Sequence, residues 1–507
     1  MSENGETCPG ADRYLRGMAL DPDLCRAAHV SRDARFDGRF VLGVRTTGIF
    51  CRPVCPAPTA KPENVEYFES VDGARAAGYR PCLRCRPTAA LAHPTAHGTA
   101  ATVMRATRLV ADGALDQAPV GALAARLGLG ERQLRRLLET HLGVSPVQLA
   151  QQRRLSLART LLQQGSASVS AVAALAGYRS LSRFNTAFRG AFGAAPSTFR
   201  FVSPTPAPAP PADYTLDLEA ASPFDGDAMR DFYALRAVPG VGAVDGSTYS
   251  VAFPMPQGPV RAVLTPTADG LHARLSLAGP AALGPAVARL RRATDLDTRL
   301  DEIAAALGAD PALSRALEVT GPPRLFGHFD PFETLARAII GQQVSVAAAR
   351  TLAGRVAAHW GTPLGPQAAV QGVRCTFPGP DALAEAPLET VGLPRARAAA
   401  LRGLAAAVAT TPALLDPPTD VDVWATTLVK LPGIGPWTAH YAALRAFAEP
   451  DAFPAGDLVV RRAHAALEGL EAPLSTSALT RRAERWRPFR GYAAQLLWNY
   501  AAMQRPA

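Results

Sequence analysis

No run of 18 apolar residues occurs in the 507-residue sequence, which leaves no candidate for a membrane-spanning helix. The first residues, MSENGETCPGADRY, lack the basic start and apolar stretch of a secretory signal, so a soluble, cytoplasmic protein without membrane contact is expected. Seven cysteines over this length are too few for a disulfide scaffold. No solenoid-type repeat is found. Acidic residues are outnumbered, 43 Asp and Glu against 53 Lys and Arg, for a net charge of +10. The excess is uneven: residues 91 to 203 hold 13 Arg and 4 acidic residues, a local +9. An anionic partner, with nucleic acid first, is expected.

At roughly three times the usual domain size, the chain should fold as several units, each with its own core. Two stretches read as linkers: the polar, His-containing segment Thr88 to Ala101, and SPTPAPAPPAD from Ser203 to Asp213, which should be extended and semi-rigid. Between them, apolar residues fall at helical spacing, as in Leu123, Leu127, Leu134, Leu137 and Leu138. After Asp213, TYSVAF and VRAVLTPTADGLHARLSLAG alternate in short runs broken by Gly, Pro and Asp, which predicts a small antiparallel sheet with helices. From about Ala312 the pattern returns to helix.

Four cysteines stand as Cys51-x3-Cys55, then 26 residues, then Cys82-x2-Cys85, a spacing that can close a tetrahedral zinc site. On spacing alone a purely structural zinc site is the commoner reading. RTTGIFCRPVC (Arg45 to Cys55) and GYRPCLRCRP (Gly78 to Pro87) resemble the N-terminal domain of the Ada methylphosphotriester-repair family. The resemblance implies one Zn²⁺ on four cysteines, with Cys51 as both ligand and nucleophile. A zinc-held thiolate can attack the methyl carbon of a phosphotriester in an irreversible, stoichiometric transfer. Methylating one of four thiolates takes the site from a charge of about −2 to about −1, weakening repulsion from DNA and making damage a binding switch. Arg45, Arg52, Arg80, Arg84 and Arg86 surround the cluster and could hold the phosphate backbone. Cys8, Cys25 and Cys375 read as ordinary thiols.

Val120 to Pro146 reads helix, Gly-containing turn, helix, and Val169 to Arg200 repeats the plan. With the AGY turn at Ala176 to Tyr178 and the FG..P ending at Phe192 to Pro196, the region resembles the AraC-type DNA-binding domain. Each second helix should enter a major groove, with Arg132, Gln133, Arg136, Arg183 and Asn185 as candidate contacts.

LPGIGPWTAHYAALRAF (Leu431 to Phe447), followed by Asp457, places Gly433 and Gly435 in a turn between helices, where backbone N–H groups can bind a phosphate. This string, FDPFETLARAIIGQQVS (Phe329 to Ser345), YTLDLEAASPFD from Tyr214 and WRPFRGYAAQLLW (Trp486 to Trp498) resemble the helix-hairpin-helix DNA glycosylases, and within them the AlkA branch. The resemblance implies Asp457 as the catalytic carboxylate, a base pocket of Phe232, Trp437, Tyr441 and Trp498, and DNA contacts at Gly433, Gly435 and Thr438. An electron-rich aromatic pocket suits a cationic alkylated base. Relatives that also cut the strand carry a lysine where Trp437 stands, so a monofunctional enzyme is implied. With only Cys375 in this half, no iron-sulfur cluster is expected. Gln343 occupies the position that wedges into the duplex, where the branch often has Leu. The Ada family's second acceptor, with a PCHRV-type motif, has no counterpart.

A multidomain α+β protein is therefore expected: a small zinc-bound α/β domain built on the four cysteines (1–90), an all-α double helix-turn-helix domain (91–203), a linker (204–213), a small antiparallel-sheet α+β domain (214–311) and an all-α glycosylase domain (312–507). Its function would be alkylation repair with methylation-switched transcription activation and excision of bases such as 3-methyladenine. Alkylated and operator duplex DNA and RNA polymerase are the expected partners of a nucleoid-associated monomer. A regulator that senses methylation, zinc or redox state, with a glycosylase half that only grips DNA, is the other reading.

Overall fold

The computed structural model describes residues 22–32, 36, 40–53, 55, 57–68, 71–82, 85, 99–164, 167–200, 213–365, 372–418 and 420–504. Most of the two expected linkers, together with Cys8, Arg84 and Arg86, lies outside the described residues. The architecture is multidomain α+β, as the sequence patterns imply.

At the N-terminal end, α1 (Pro22–Ser31) and α2 (Val71–Ala76) accompany a four-stranded sheet of β1 (Val41–Val44), β2 (Ile49–Cys51), β3 (Val65–Phe68) and β4 (Arg80–Pro81), ordered β3-β1-β2-β4. Within this sheet only β2 and β4 run parallel, Ile49 beside Arg80 and Phe50 beside Pro81. That pairing joins segments about 30 residues apart, which no local pattern announces.

Seven helices follow: α3 (Thr99–Ala111), α4 (Ala114–Gln117), α5 (Val120–Arg126), α6 (Glu131–Leu142), α7 (Pro146–Gln164), α8 (Val169–Leu175) and α9 (Leu181–Phe192). Leu134 and Leu138 on α6, and Phe184 and Phe188 on α9, bury one stripe each at a spacing of four residues. Gly143 and Gly193, left-handed at φ 73° and 71°, end α6 and α9. The two helix-turn-helix units are α5–α6 and α8–α9, joined by α7.

The next five strands, β5 (Asp213–Glu219), β6 (Gly242–Asp245), β7 (Thr248–Phe253), β8 (Val260–Thr267) and β9 (Gly270–Leu277), form an antiparallel sheet ordered β5-β9-β8-β7-β6. Along β9, Leu271, Ala273 and Leu275 are buried while His272 and Arg274 are exposed. Helix α10 (Gly226–Arg236) and helix α11 (Leu283–Ala293) cover it, and α12 (Leu300–Leu307) follows. Helices thus begin well before Ala312, because Leu283, Ala286 and Leu290 of α11 are needed to close the sheet's apolar face. The remaining helices, α13 (Pro311–Thr320), α14 (Pro331–Ile340), α15 (Val346–Trp360), α16 (Pro380–Leu383), α17 (Arg395–Thr410), α18 (Val421–Leu428), α19 (Pro436–Phe447), α20 (Leu458–Glu468), α21 (Thr476–Ala483) and α22 (Arg490–Met503), share one large core.

Helices α3 to α9 dock on the C-terminal half through charge. Asp416, 9% exposed, accepts from Arg126 at 2.5 and 3.2 Å and lies 3.5 Å from Arg105. Arg108 pairs with Glu449 at 3.0 Å, and Arg292 with Asp112 at 2.9 Å. Gln164 at the end of α7 exchanges two hydrogen bonds, 3.1 and 3.0 Å, with the backbone of Asp217 on the edge strand β5. The side-chain amide thereby satisfies backbone groups that a sheet edge leaves open.

Asp416→Ala should leave Arg105 and Arg126 facing each other without an acid and cost about 2 kcal/mol of docking free energy, low for a buried pair because Arg126 stays half exposed. Hydrogen exchange in α3 and α5 should then quicken roughly thirtyfold while α20 and α22 are unchanged. Unaltered exchange in α3 and α5 contradicts this docking.

Candidate active site and metal centre

Strand β2 ends on Cys51, and β4 delivers Cys82, whose N–H donates to Phe50 O at 2.9 Å. Cys55 and Cys85 follow in the adjoining turns. The four Sγ atoms lie within 4.8 Å of one another, all buried, with Cys55 and Cys82 3.9 Å apart. Zinc–sulfur bonds of about 2.3 Å in a tetrahedron put sulfurs about 3.8 Å apart, so the donor set fits that ion. As bare thiols the four oppose one another. A hydrogen bond to Cys85, then burial, drives Cys51 far above its ordinary range, whereas Cys85 is pulled down to about 6 by that same bond. A divalent cation removes the conflict by letting all four ionise. The backbone N–H of Arg52 donates to Cys85 Sγ at 3.3 Å. Cys25 and Cys375 are buried thiols outside this set. Cys51 and Cys55 open onto a cleft of about 1640 Å³ that Arg80, Arg108, Arg153 and Arg159 also line, at the junction with the regulator helices. Arg80 crosses that junction to Phe192 O at 3.3 Å, and Arg45 is exposed beside Glu66 at 3.9 Å.

The second centre forms where α18, α19, α20 and α22 meet. In the hairpin between α18 and α19, Gly433 has φ 81°, and a Cβ there would lie 2.5 Å from Ala400 Cβ, so both backbone sign and space require glycine. Gly435 caps α19 and Pro436 starts it. Asp457 caps α20: its Oδ1 accepts from the N–H groups of Val459 and Val460, both at 3.0 Å, and from Trp498 Nε1 at 3.1 Å. Its Oδ2 accepts from Trp437 Nε1 at 2.9 Å. Oδ1 is saturated, while Oδ2 keeps capacity for a further partner. The Trp437 ring stacks on Tyr441 (5.1 Å, 11°), which meets Trp498 edge-on at 6.3 Å.

Phe232, on α10, is linked to this group by an arginine. The Arg445 guanidinium lies 4.9 Å from the Phe232 ring, 5.2 Å from Trp498 and 5.7 Å from Tyr441. The four aromatic residues expected to form a pocket are thus grouped around the Arg445 guanidinium, which the sequence reading did not include. Burial draws Arg445 down to about 10, leaving it charged at neutral pH. Burial alone would raise Tyr441, yet Arg236, Arg445 and Arg337 together pull it below its ordinary value. Neither Arg236, Arg445 nor His328 was expected from the sequence. A signal was present: Phe232 with Arg236, and Tyr441 with Arg445, are two aromatic–arginine pairs at i, i+4.

Gln343 stands exposed in the turn between α14 and α15 with φ 56°, a strained conformation for this residue. Its neighbour Gln342 ties that turn to the hairpin, donating to Gly433 O at 2.8 Å and to Thr438 Oγ1 at 3.2 Å. Thr438 is buried, and its hydroxyl, accepting from Gln342, braces the hairpin. Arg132, Gln133 and Arg136 lie on the exposed face of α6; on α9, Arg183 is exposed and Asn185 half-buried.

Four known families match this chain in order: the metal binding domain of Ada over residues 24–88, a helix-turn-helix domain over 123–201, the AlkA N-terminal domain over 215–330 and the HhH-GPD superfamily base excision DNA repair protein over 336–488. The chain is 38% identical over 488 residues, 95% of its length and 97% of the other, to the "Probable bifunctional transcriptional activator/DNA repair enzyme AlkA" of Mycobacterium tuberculosis (strain CDC 1551 / Oshkosh). It is 36% identical over 295 residues, 56% of this chain and 96% of the other, to DNA-3-methyladenine glycosylase 2 of Escherichia coli (strain K12). In fold, 58% of the chain is similar to the whole of a 3-methyladenine DNA glycosylase from Archaeoglobus fulgidus, at a TM-score of 0.50 and 21% identity.

Elemental analysis of the purified chain should return one zinc per molecule. Cys85→Ser, which removes one ligand, should release the metal to a chromogenic chelator at least tenfold faster. Equal release rates would mean that Cys85 does not hold the ion.

Proposed function

The chain belongs to the family of bifunctional transcriptional activators and DNA repair enzymes, and from that premise we propose that it excises alkylated bases at Asp457 and accepts methyl groups from DNA phosphotriesters at Cys51. Its one zinc ion is bound by cysteine, and duplex DNA is its partner.

The observation that carries the glycosylase assignment is the clamp on Asp457, whose carboxylate is fixed by two indoles of the base pocket and by a helix N-terminus. An N-glycosidic bond breaks with positive charge growing on the sugar, and a carboxylate already oriented needs no reorganisation to stabilise it. Oδ2, bound only by Trp437, is the oxygen free to meet that charge or to orient water toward C1′. Trp437 stands at the position that carries lysine in strand-cutting relatives, so release should be hydrolytic and leave an abasic site. The hairpin N–H groups would grip a phosphate, and Gln343 would fill the gap left by the extruded base.

At the other centre, bound zinc supplies the charge that keeps the four sulfurs as thiolates at neutral pH. The Cys51 sulfur attacks the methyl carbon, the carbon–oxygen bond breaks and the phosphodiester leaves with the electron pair. Arg45 and Arg80 would hold the strand. Loss of one negative charge would then favour operator binding by α6 and α9, with Arg132, Gln133, Arg136, Arg183 and Asn185 facing DNA. Recruitment of RNA polymerase by a cytoplasmic, nucleoid-associated monomer completes this reading, in which units 1–90, 91–203, 214–311 and 312–507 do separate work.

Purified protein should release methylated bases from alkylated duplex and leave breaks only after alkali. Asp457→Asn should lower that release at least a hundredfold. Mass spectrometry of the Cys51 peptide should show one added methyl group after exposure to methylated DNA, in Asp457→Asn as in the wild type. Base release untouched by Asp457→Asn, or a Cys51 peptide gaining only oxygen, would overturn the respective half.

A further inference from the structure

Two arginines from different helices converge behind the base pocket. Arg236, on α10, lies 4.3 Å from the Phe232 ring, and Arg445, on α19, lies 4.9 Å from the same ring. Arg445 is 2% exposed and donates to Phe326 O at 2.7 Å and to Gln495 Oε1 at 2.8 Å, both uncharged acceptors. Arg236 donates to Phe232 O at 3.4 Å. The nearby acid Glu333 is committed to Arg337 at 2.8 Å. Beside Phe232, His328 is buried with no hydrogen-bond partner on either ring nitrogen, and burial with the three guanidiniums holds it uncharged. A buried charge without a carboxylate partner is costly, and such arrangements cluster where the charge acts on a reaction.

This positive end faces a negative one. Asp457 is bonded to Trp437 and Trp498, and Arg445 lies against Trp498 and Tyr441, so the aromatic group separates carboxylate from guanidinium. We propose that Arg445, assisted by Arg236, is a specificity-determining residue that draws the glycosidic electron pair onto the departing base and so extends excision to damaged bases uncharged in the nucleoside. The inference rests on the glycosylase reading above. When the C1′–N bond breaks, its electron pair stays with the base and water adds to C1′; the proton lost by that water ends on a base that was uncharged, and goes to solvent when the base was cationic. An uncharged base passes through an anionic state that the arginines stabilise. A base made cationic by alkylation passes from positive to neutral, so the arginines repel the bound substrate and leave its transition state nearly untouched.

The consequence is a split between binding and chemistry that a structural arginine would not produce. The experiment measures single-turnover base release over a range of enzyme concentrations, with full-length protein and duplexes carrying one deoxyinosine or one N7-methyldeoxyguanosine. Arg445→Met should lower the second-order rate constant for hypoxanthine release about tenfold or more. For 7-methylguanine that constant should fall several-fold less, because tighter half-saturation offsets part of a lower maximal rate. Arg445→Lys should restore the wild-type pattern. Arg236→Met, at a half-buried position, should show the same split more weakly and serves if Arg445→Met fails to fold. Equal losses for both bases, an unchanged ratio, or a wild type that releases only 7-methylguanine would overturn the proposal alone. A wild type that releases neither base would overturn the glycosylase reading as well.

Discussion

The C-terminal half is organised around one carboxylate that four N–H groups hold still. Two of Asp457's donors come from the first turn of α20, one from α19 and one from α22, so the hairpin, the following helix and the last helix must all be in place before the site exists. That constraint explains neighbouring choices. Gly433 is needed for the turn that starts α19, Gln342 ties the wedge turn to the hairpin, and the stacking of Trp437 on Tyr441 keeps the indole N–H aimed at Oδ2. An aspartate that caps a helix usually stabilises a fold by about 1 kcal/mol. Here the same carboxylate is also held by two indoles, so the helix cap and the aromatic group share one set of contacts.

The N-terminal centre solves a different electrostatic problem. Four thiols brought within 4.8 Å cannot all ionise alone, and the parallel β2–β4 pair holds them there regardless. The fold thus stores a demand for a divalent cation. Between the two centres the regulator helices are joined to the glycosylase half by ion pairs at Asp416, Glu449 and Asp112. The two DNA-reading surfaces are accordingly parts of one docked body.

Much of this was legible in the sequence, for reasons that differ by element. The cysteine spacing, the paired helix-turn-helix units and the Gly433–Gly435 turn are local, and each residue type is nearly dictated by its job. The alternation in β7 to β9 is likewise a local record of one buried face. What stayed hidden depends on contacts between distant segments. Arg445 sits in an apolar helix whose pattern says only that it is packed, and its surroundings are set when α10 brings Phe232 and Arg236 to it. The bond by which Gln342 ties itself to the Thr438 hydroxyl joins residues 96 apart in the chain. The Asp416 docking pairs lie 290 residues apart in the case of Arg126.

If the clamped carboxylate works by stabilising positive charge on the sugar, bond breaking must run well ahead of attack by water. The secondary hydrogen isotope effect at C1′ reports this directly, since C1′ loosens as it becomes cationic. The account predicts a normal effect clearly above unity for release of N7-methylguanine under single-turnover conditions. An effect at or below unity would mean concerted displacement at C1′, and would contradict an electrostatic role for Asp457.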